Sequence, residues 1–224
     1  MTDNEDFVIN ESYPRTAEDN DLILQASPNE KHSKDWEKDC LQDFKARVRE
    51  HYLRVQKRRC AYCRTEIRTS QASAEIEHII HKASKPDWMY EPFNLCVSCK
   101  MCNTKKSRKR VLINGTFNSL PRNSSDYIIV HPHLDQYSQH INIIDGILYE
   151  GISQKGRKTI EICKLDRFEL AADRAADKIK EEKTFDERAL LSFVAHHGTP
   201  LVNVYEKFEE RIHQICEEYK NGKR

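Results

Sequence analysis

The sequence predicts an α+β fold: a small zinc-stabilised ββα core with mainly helical N- and C-terminal extensions. Three observations carry this. Five of the eight cysteines, Cys60, Cys63, Cys96, Cys99 and Cys102, fall within 43 residues as two close groups. Between the groups, residues 74–81 alternate well enough to form a strand. On both flanks, apolar residues recur every three or four positions, the spacing of helices that bury one face.

Taken in order, residues 1–32 are polar and acidic, with Pro14 and Pro28 and little periodicity, and are expected as a partly ordered arm. From Ser33, a plausible N-cap, the apolar series Trp36, Cys40, Phe44, Val48, Tyr52 and Val55 predicts one amphipathic helix over 33–55. The strand over 74–81 is expected to pair antiparallel with residues 64–68. After Pro92, residues 94–109 should open with the second cysteine group and continue as a helix carrying Asn103, Lys105, Lys106 and Lys109. Residues 33–110 therefore form one core, and 111–224 a region of hairpins and helices of unassigned role. Within it, Asn114-Gly115 and Asp145-Gly146 are hairpin turn signals. Asp166 with Glu169 forms a capping box opening a helix to about Glu182. Leu201, Val204, Phe208, Ile212, Ile215 and Tyr219 line a last helix.

With 37 Lys and Arg against 36 Asp and Glu, the net charge of +1, taken as a total, argues against a nucleic-acid partner. The distribution reverses that reading. Residues 1–44 hold 12 acidic and 4 basic side chains, residues 45–110 hold 17 basic and 6 acidic, and residues 111–224 hold 16 basic and 18 acidic. The middle segment, at +11, attracts polyanions whatever the total. No apolar stretch approaches a membrane span and the first residues are acidic, so a cytoplasmic protein away from the membrane is expected.

Clustered cysteines in a chain of this kind suggest a metal rather than a disulfide scaffold. Two residues between thiolates let one turn aim both sulfurs at the same ion, and four thiolates close a zinc site and make it structural. Cys60-Ala-Tyr-Cys63 supplies one pair. The triple Cys96-Val-Ser-Cys99-Lys-Met-Cys102 offers two ways of supplying the other. Cys40, Cys163 and Cys216 are expected in the core.

Glu77-His78-Ile79-Ile80-His81-Lys82, then Asn94-Leu95, then Cys99-Lys100-Met101-Cys102-Asn103-Thr104-Lys105-Lys106, with the two knuckles, resemble the HNH endonuclease family of the zinc-knuckle ββα-metal type. The resemblance covers residues 60–107. It implies zinc on Cys60, Cys63, Cys99 and Cys102, which leaves Cys96 at an apolar position. It also implies His78 as general base, Glu77 and Asn103 as ligands of a catalytic Mg²⁺ or Mn²⁺, and Asn94 as the residue holding His78 in place. The chemistry gives these types a reason: a neutral histidine takes a proton from water, and hard oxygen donors suit those ions. His81 stands where many relatives have proline; metal, phosphate and structural roles are all open to it. His131, His133 and His140 form a looser cluster without acidic or cysteine partners at metal spacing.

Lys57, Arg58, Arg59, Lys105, Lys106, Arg108 and Lys109 flank this motif and are expected to contact phosphate, giving DNA binding without strong base selection. A weaker resemblance to Septu-type and retron-associated anti-phage HNH proteins implies a defence role beside a partner ATPase, and an oligomer is compatible with it. The acidic N-terminal segment could then mask the basic one or dock a partner. The competing readings are a non-catalytic zinc module and an RNA-directed nuclease.

Overall fold

A computed structural model describes residues 6–67 and 74–182. It is mixed helix and strand, as expected, with α-helices α1 (Ala17–Ala26), α2 (Gln42–Val55), α3 (Lys100–Lys106), α4 (Gln154–Cys163) and α5 (Phe168–Glu182). Strands β1 (Ala74–His78) and β2 (Leu95–Cys99) form one two-stranded sheet, and β3 (Ile141–Ile144) and β4 (Leu148–Gly151) another. None of the described helices is long and apolar enough to cross a membrane.

The chain divides into two compact units. The larger runs to Ile141 and takes up Gly151–Leu165. Its centre is the antiparallel β1–β2 pair, in register Ala74↔Cys99, Glu75↔Ser98, Ile76↔Val97, Glu77↔Cys96 and His78↔Leu95. The expected partner of β1, residues 64–68, is not the one used. Glu66 bridges to Arg59 instead, closing the first knuckle on itself. β2 wins because Leu95, Cys96 and Val97 are all fully buried, so this strand fills the middle of the core.

The helix expected over 33–55 is broken at its start. The Asp35 carboxylate accepts from the His32 backbone N–H at 2.9 Å and from Ser27 Oγ at 2.8 Å, and Lys38 adopts an extended backbone. Residues Ser33–Glu37 and Asp39–Leu41 are therefore short 3₁₀ turns, and the α-helix starts at Gln42. The anchoring positions hold: Trp36, Phe44, Val48 and Tyr52 are buried. At the other end, Gln56 lays its side chain along β2. Its Nε2 donates to the Val97 carbonyl and its Oε1 accepts from the Val97 N–H, both at 2.8 Å, so α2 and β2 are joined as two strands would be.

Within the segment read as an arm, the described residues 6–32 are packed. Thr16 caps α1 with a full capping box, its Oγ1 accepting from Asp19 N–H while Asp19 accepts from Thr16 N–H at 2.8 Å. The other Asp19 oxygen accepts from Arg47 Nη2 at 2.6 Å. Phe7, Ile9 and Tyr13 are buried, and the Arg64 guanidinium lies 3.4 Å above the Phe7 ring. Local polarity hid this, because the apolar anchors are single residues spaced along an extended chain.

Asn114-Gly115 forms no hairpin; Leu112 bridges to Tyr127 instead. Asp145-Gly146 does form one: both residues have positive φ (51° and 72°), as the tight primed turn requires, and the Ile147 N–H donates to the Ile144 carbonyl. That turn belongs to the smaller unit, Asn142–Glu150 with the chain from Asp166. There Arg174 of α5 donates to Tyr149 Oη at 2.6 Å and to the Gly146 carbonyl at 2.9 Å. The helix expected to carry Leu201 to Tyr219, and Cys216, lie outside the described residues.

Candidate functional site

Cys60 and Cys63 flank a turn that follows α2, and Cys99 ends β2 where α3 begins, with Cys102 in the first turn of that helix. The four sulfurs lie within 4.8 Å of one another. A tetrahedral zinc ion at about 2.3 Å from each sulfur spaces them about 3.8 Å apart, and Cys63 Sγ and Cys99 Sγ are 3.8 Å apart. That is far beyond a disulfide bond. Burial pushes the Cys60 thiol well up, whereas the neighbouring thiols donate to Cys63 and hold it well below the usual range. A divalent cation that takes thiolate ligands would replace the protons the buried sulfurs otherwise carry. The donor set fits zinc with no open position. Cys96, the third member of the triple, sits mid-strand opposite Glu77, fully buried and outside this cluster.

The β1 alternation sends Glu75 and Glu77 to the face covered by α3. Asn103 Nδ2 donates to Glu75 Oε2 at 2.5 Å. One turn on, Lys106 Nζ donates to Glu77 Oε1 at 2.5 Å and to the His78 carbonyl at 2.9 Å. Neither Lys106 nor Glu77 is solvent-exposed to more than 4%. Burial pushes the Glu77 carboxyl up while Lys106 pulls it down.

His78 turns to the opposite face. Its Nε2–H donates to the Met89 carbonyl at 3.1 Å, and its ring stands edge-on to Trp36 at 4.4 Å. A carbonyl only accepts, so the proton sits on Nε2 and the lone pair on Nδ1. Burial, reinforced by Lys82 and Lys106, lowers the imidazole to about 3, so the ring is neutral at pH 7. Asn94, fully buried, fixes the loop between β1 and this carbonyl. Its Oδ1 accepts from the Ile80 N–H at 2.8 Å, and its Nδ2 donates to the Ile80 and Trp88 carbonyls at 3.0 and 3.1 Å.

The residues named from sequence thus fall into two groups. Glu77 and Asn103 share the β1–α3 face, and His78 and Asn94 share the loop that ends the strand. Two residues were missed. Glu75 holds Asn103, and a two-residue strand period from Glu77 was the available signal. Tyr62, inside the first knuckle and buried, has its hydroxyl 3.5 Å from Glu77 Oε1. Lys106 is corrected: expected on the nucleic-acid surface, it is fully buried as the partner of Glu77, because it falls one helical turn after Asn103 on the same inward face. Lys57, Lys105, Arg108 and Lys109 are exposed, with Arg58 and Arg59 half-buried. Lys109 lies beyond the end of α3 and donates to the Ile162 carbonyl.

His81 is half-buried, its Nδ1 accepting from the Ala83 N–H at 3.0 Å. His131 and His133 are buried among Phe93, Tyr127 and Tyr52 rather than gathered on an ion. Among the described residues, the four cysteines are the one group of three or more His, Cys, Asp and Glu whose ligand atoms converge.

Comparison with known proteins gives the same frame. Residues 60–109 match the model of the HNH endonuclease family. Over 117 residues the chain is 28% identical to a Septu protein PtuB of Bacillus thuringiensis, which covers 52% of this chain and 40% of that protein. The chain thus spans well under half the length of this curated relative. No solved structure matches.

Proposed function

We propose, taking residues 60–109 as an HNH endonuclease domain, that the chain hydrolyses phosphodiester bonds of DNA with a divalent ion, Mg²⁺ or Mn²⁺. The observation that carries this reading is the pairing of acidic and amide side chains across β1 and α3, with a neutral histidine next in the strand, on its other face. Glu77 and Asn103 would hold the ion, with Glu75 next to Asn103; these are hard oxygen donors, the chemistry such ions take. A bound ion of this kind would neutralise charge on the phosphate and lower the pKa of water. His78 presents Nδ1 as the acceptor for a proton, and its Nε2–H bond to Met89 fixes the ring so that this nitrogen is the basic one. Asn94 maintains that geometry by bracing Ile80 and Trp88. Lys57, Arg58, Arg59, Lys105, Arg108 and Lys109 bind the phosphate backbone without reading bases. The zinc is structural and stands in for part of a core between α2 and α3.

The wider role is defence against phage beside a partner ATPase. The similarity to a Septu protein PtuB supports it, together with the HNH match. A plaque assay comparing wild type with His78→Ala tests that role. The biochemical claim is tested with supercoiled plasmid, single-stranded DNA and RNA in Mg²⁺, Mn²⁺ or chelator. Divalent-dependent cleavage of the DNA substrates is expected, and RNA cleavage alone would overturn the substrate assignment.

A second reading, a zinc module that binds without cutting, is favoured by one observation: Glu77 is already paired with Lys106 out of solvent. Absence of cleavage of any of these substrates in either ion would establish it.

A further inference from the structure

The Glu77 carboxylate and the Lys106 ammonium are the one carboxylate–ammonium pair, among the described residues, in which both partners are essentially removed from water. A carboxylate taken from water needs a cation, and an ammonium needs acceptors. Lys106 has two: Glu77 Oε1 at 2.5 Å and the His78 carbonyl at 2.9 Å. It therefore touches both residues on which the proposed chemistry depends. Its position explains how it reaches them. Lys106 is the last residue of α3, and Ser107 leaves the helix with a φ of 47°, so the lysine stem runs inward from the end of the helix. Its neighbours Lys105, Ser107 and Arg108 are exposed. A flexible four-carbon stem rooted at a helix end between exposed residues is the kind of side chain that can leave the interior while the backbone stays in place.

We propose that Lys106 is an internal place-holder cation: a divalent ion binding at Glu77 expels the Lys106 ammonium from the interior, and the two occupy the site alternately. This rests on the reading of Glu77 as a metal ligand. The argument is one of charge. One carboxylate at low solvent exposure balances one ammonium, and a divalent ion a few ångströms from that ammonium meets strong repulsion in a medium that screens poorly. Glu75, the nearest further carboxylate, is held by Asn103 on the adjacent turn and adds negative charge that favours the divalent ion over the monovalent one.

Two consequences follow. Without nucleic acid the site is self-neutralised and binds divalent ions weakly. Once displaced, the ammonium joins Lys105 and Arg108 on the surface, where a phosphate stabilises it, so metal and nucleic acid favour each other's binding. The same departure frees the His78 carbonyl, linking occupancy at Glu77 to the setting of His78.

The test uses the wild-type chain first. Acetylation by an amine-reactive ester, read by mass spectrometry, is compared with and without saturating Mn²⁺. Lys106 is expected to be unreactive alone and to label several-fold faster with Mn²⁺, with Lys105 unchanged as reference. Lys106 that stays unreactive while Mn²⁺ is bound overturns the proposal. In parallel, Mn²⁺ titrations followed by electron paramagnetic resonance compare wild type, Lys106→Met and Glu77→Gln, each checked for zinc content and thermal midpoint. Lys106→Met should bind Mn²⁺ at least several-fold more tightly, and unchanged or weaker binding by this variant in its folded state overturns the proposal. Glu77→Gln should lose the site. If Glu77→Gln keeps wild-type affinity, the assignment of Glu77 as ligand falls and the place-holder role with it. If it loses affinity while Lys106→Met gains none, only the place-holder role falls.

Discussion

Asn94 and Ile80 are joined twice through one amide: Asn94 Oδ1 accepts from the Ile80 N–H, and Asn94 Nδ2 donates to the Ile80 carbonyl. The Ile79 N–H also donates to the Asn94 carbonyl at 2.9 Å, so the strand beyond His78 continues its pairing through a side chain after the β1–β2 ladder stops. Replacing Asn94 with Ala leaves the Ile80 N–H and carbonyl without their partner and the Trp88 carbonyl with the Glu91 N–H alone, at a cost of about 2–4 kcal/mol. Chemical denaturation should show this loss. A variant within 0.5 kcal/mol (roughly the scatter of a surface change) would mean that the clamp is not holding the loop.

Zinc analysis distinguishes the cysteines. The purified chain should hold about one zinc ion, and Cys63→Ser should lose it and unfold the core. Cys96→Ser should keep it, because Cys96 faces Glu77 and not the cluster. Zinc lost equally from both variants would contradict the assignment.

Acid sensitivity should come from the buried neutral histidines, His78, His131 and His133, and His133 is the one that can be tested away from the proposed site. Its Nε2–H donates to the Leu95 carbonyl at 2.8 Å, its Nδ1 accepts from Ser12 Oγ, and burial lowers it to about 4. The folded state thus favours the neutral ring. Stability is complete above the unfolded value of about 6.5 and falls as pH drops from there to about 4, by up to about 3 kcal/mol. Asp35, lowered to about 2 by the His32 N–H and Lys38, adds a further loss below about 3.8. Thermal midpoints measured from pH 7.5 to 4 should decline over that window, and His133→Gln should flatten the decline. An unchanged slope in the variant would remove His133 as a contributor.

Nucleic-acid affinity should rest on exposed cations. Lys105→Ala with Arg108→Ala is expected to weaken binding to unrelated duplexes alike and to reduce the slope of log affinity against log salt by about 2. A loss confined to one sequence would show base reading instead.

How much of this was legible in the residues depended on the range of the interaction. The convergence of Cys60, Cys63, Cys99 and Cys102 and the Asp145-Gly146 turn are local patterns whose spacing fixes the geometry, and both appear as expected. The partner of β1 is a long-range choice decided by burial of Leu95, Cys96 and Val97, which alternation in 74–81 does not reveal. Lys106 looked like one more cation in a basic run; only the position of α3 over β1 turns it inward. The Cys96 ambiguity likewise required the strand register. The acidic first residues carry buried anchors, Phe7, Ile9 and Tyr13, too sparse to show periodicity.

Plasmid nicking tests cleavage by the proposed Glu77, His78 and Asn103 site most directly. Wild type and His78→Ala, matched for zinc content, are incubated with supercoiled DNA in Mg²⁺ or Mn²⁺ and in chelator. Divalent-dependent nicking by wild type is expected, reduced about 10²–10⁴-fold in the variant, with none in chelator. Equal nicking by both proteins, or nicking that survives the chelator, would contradict it.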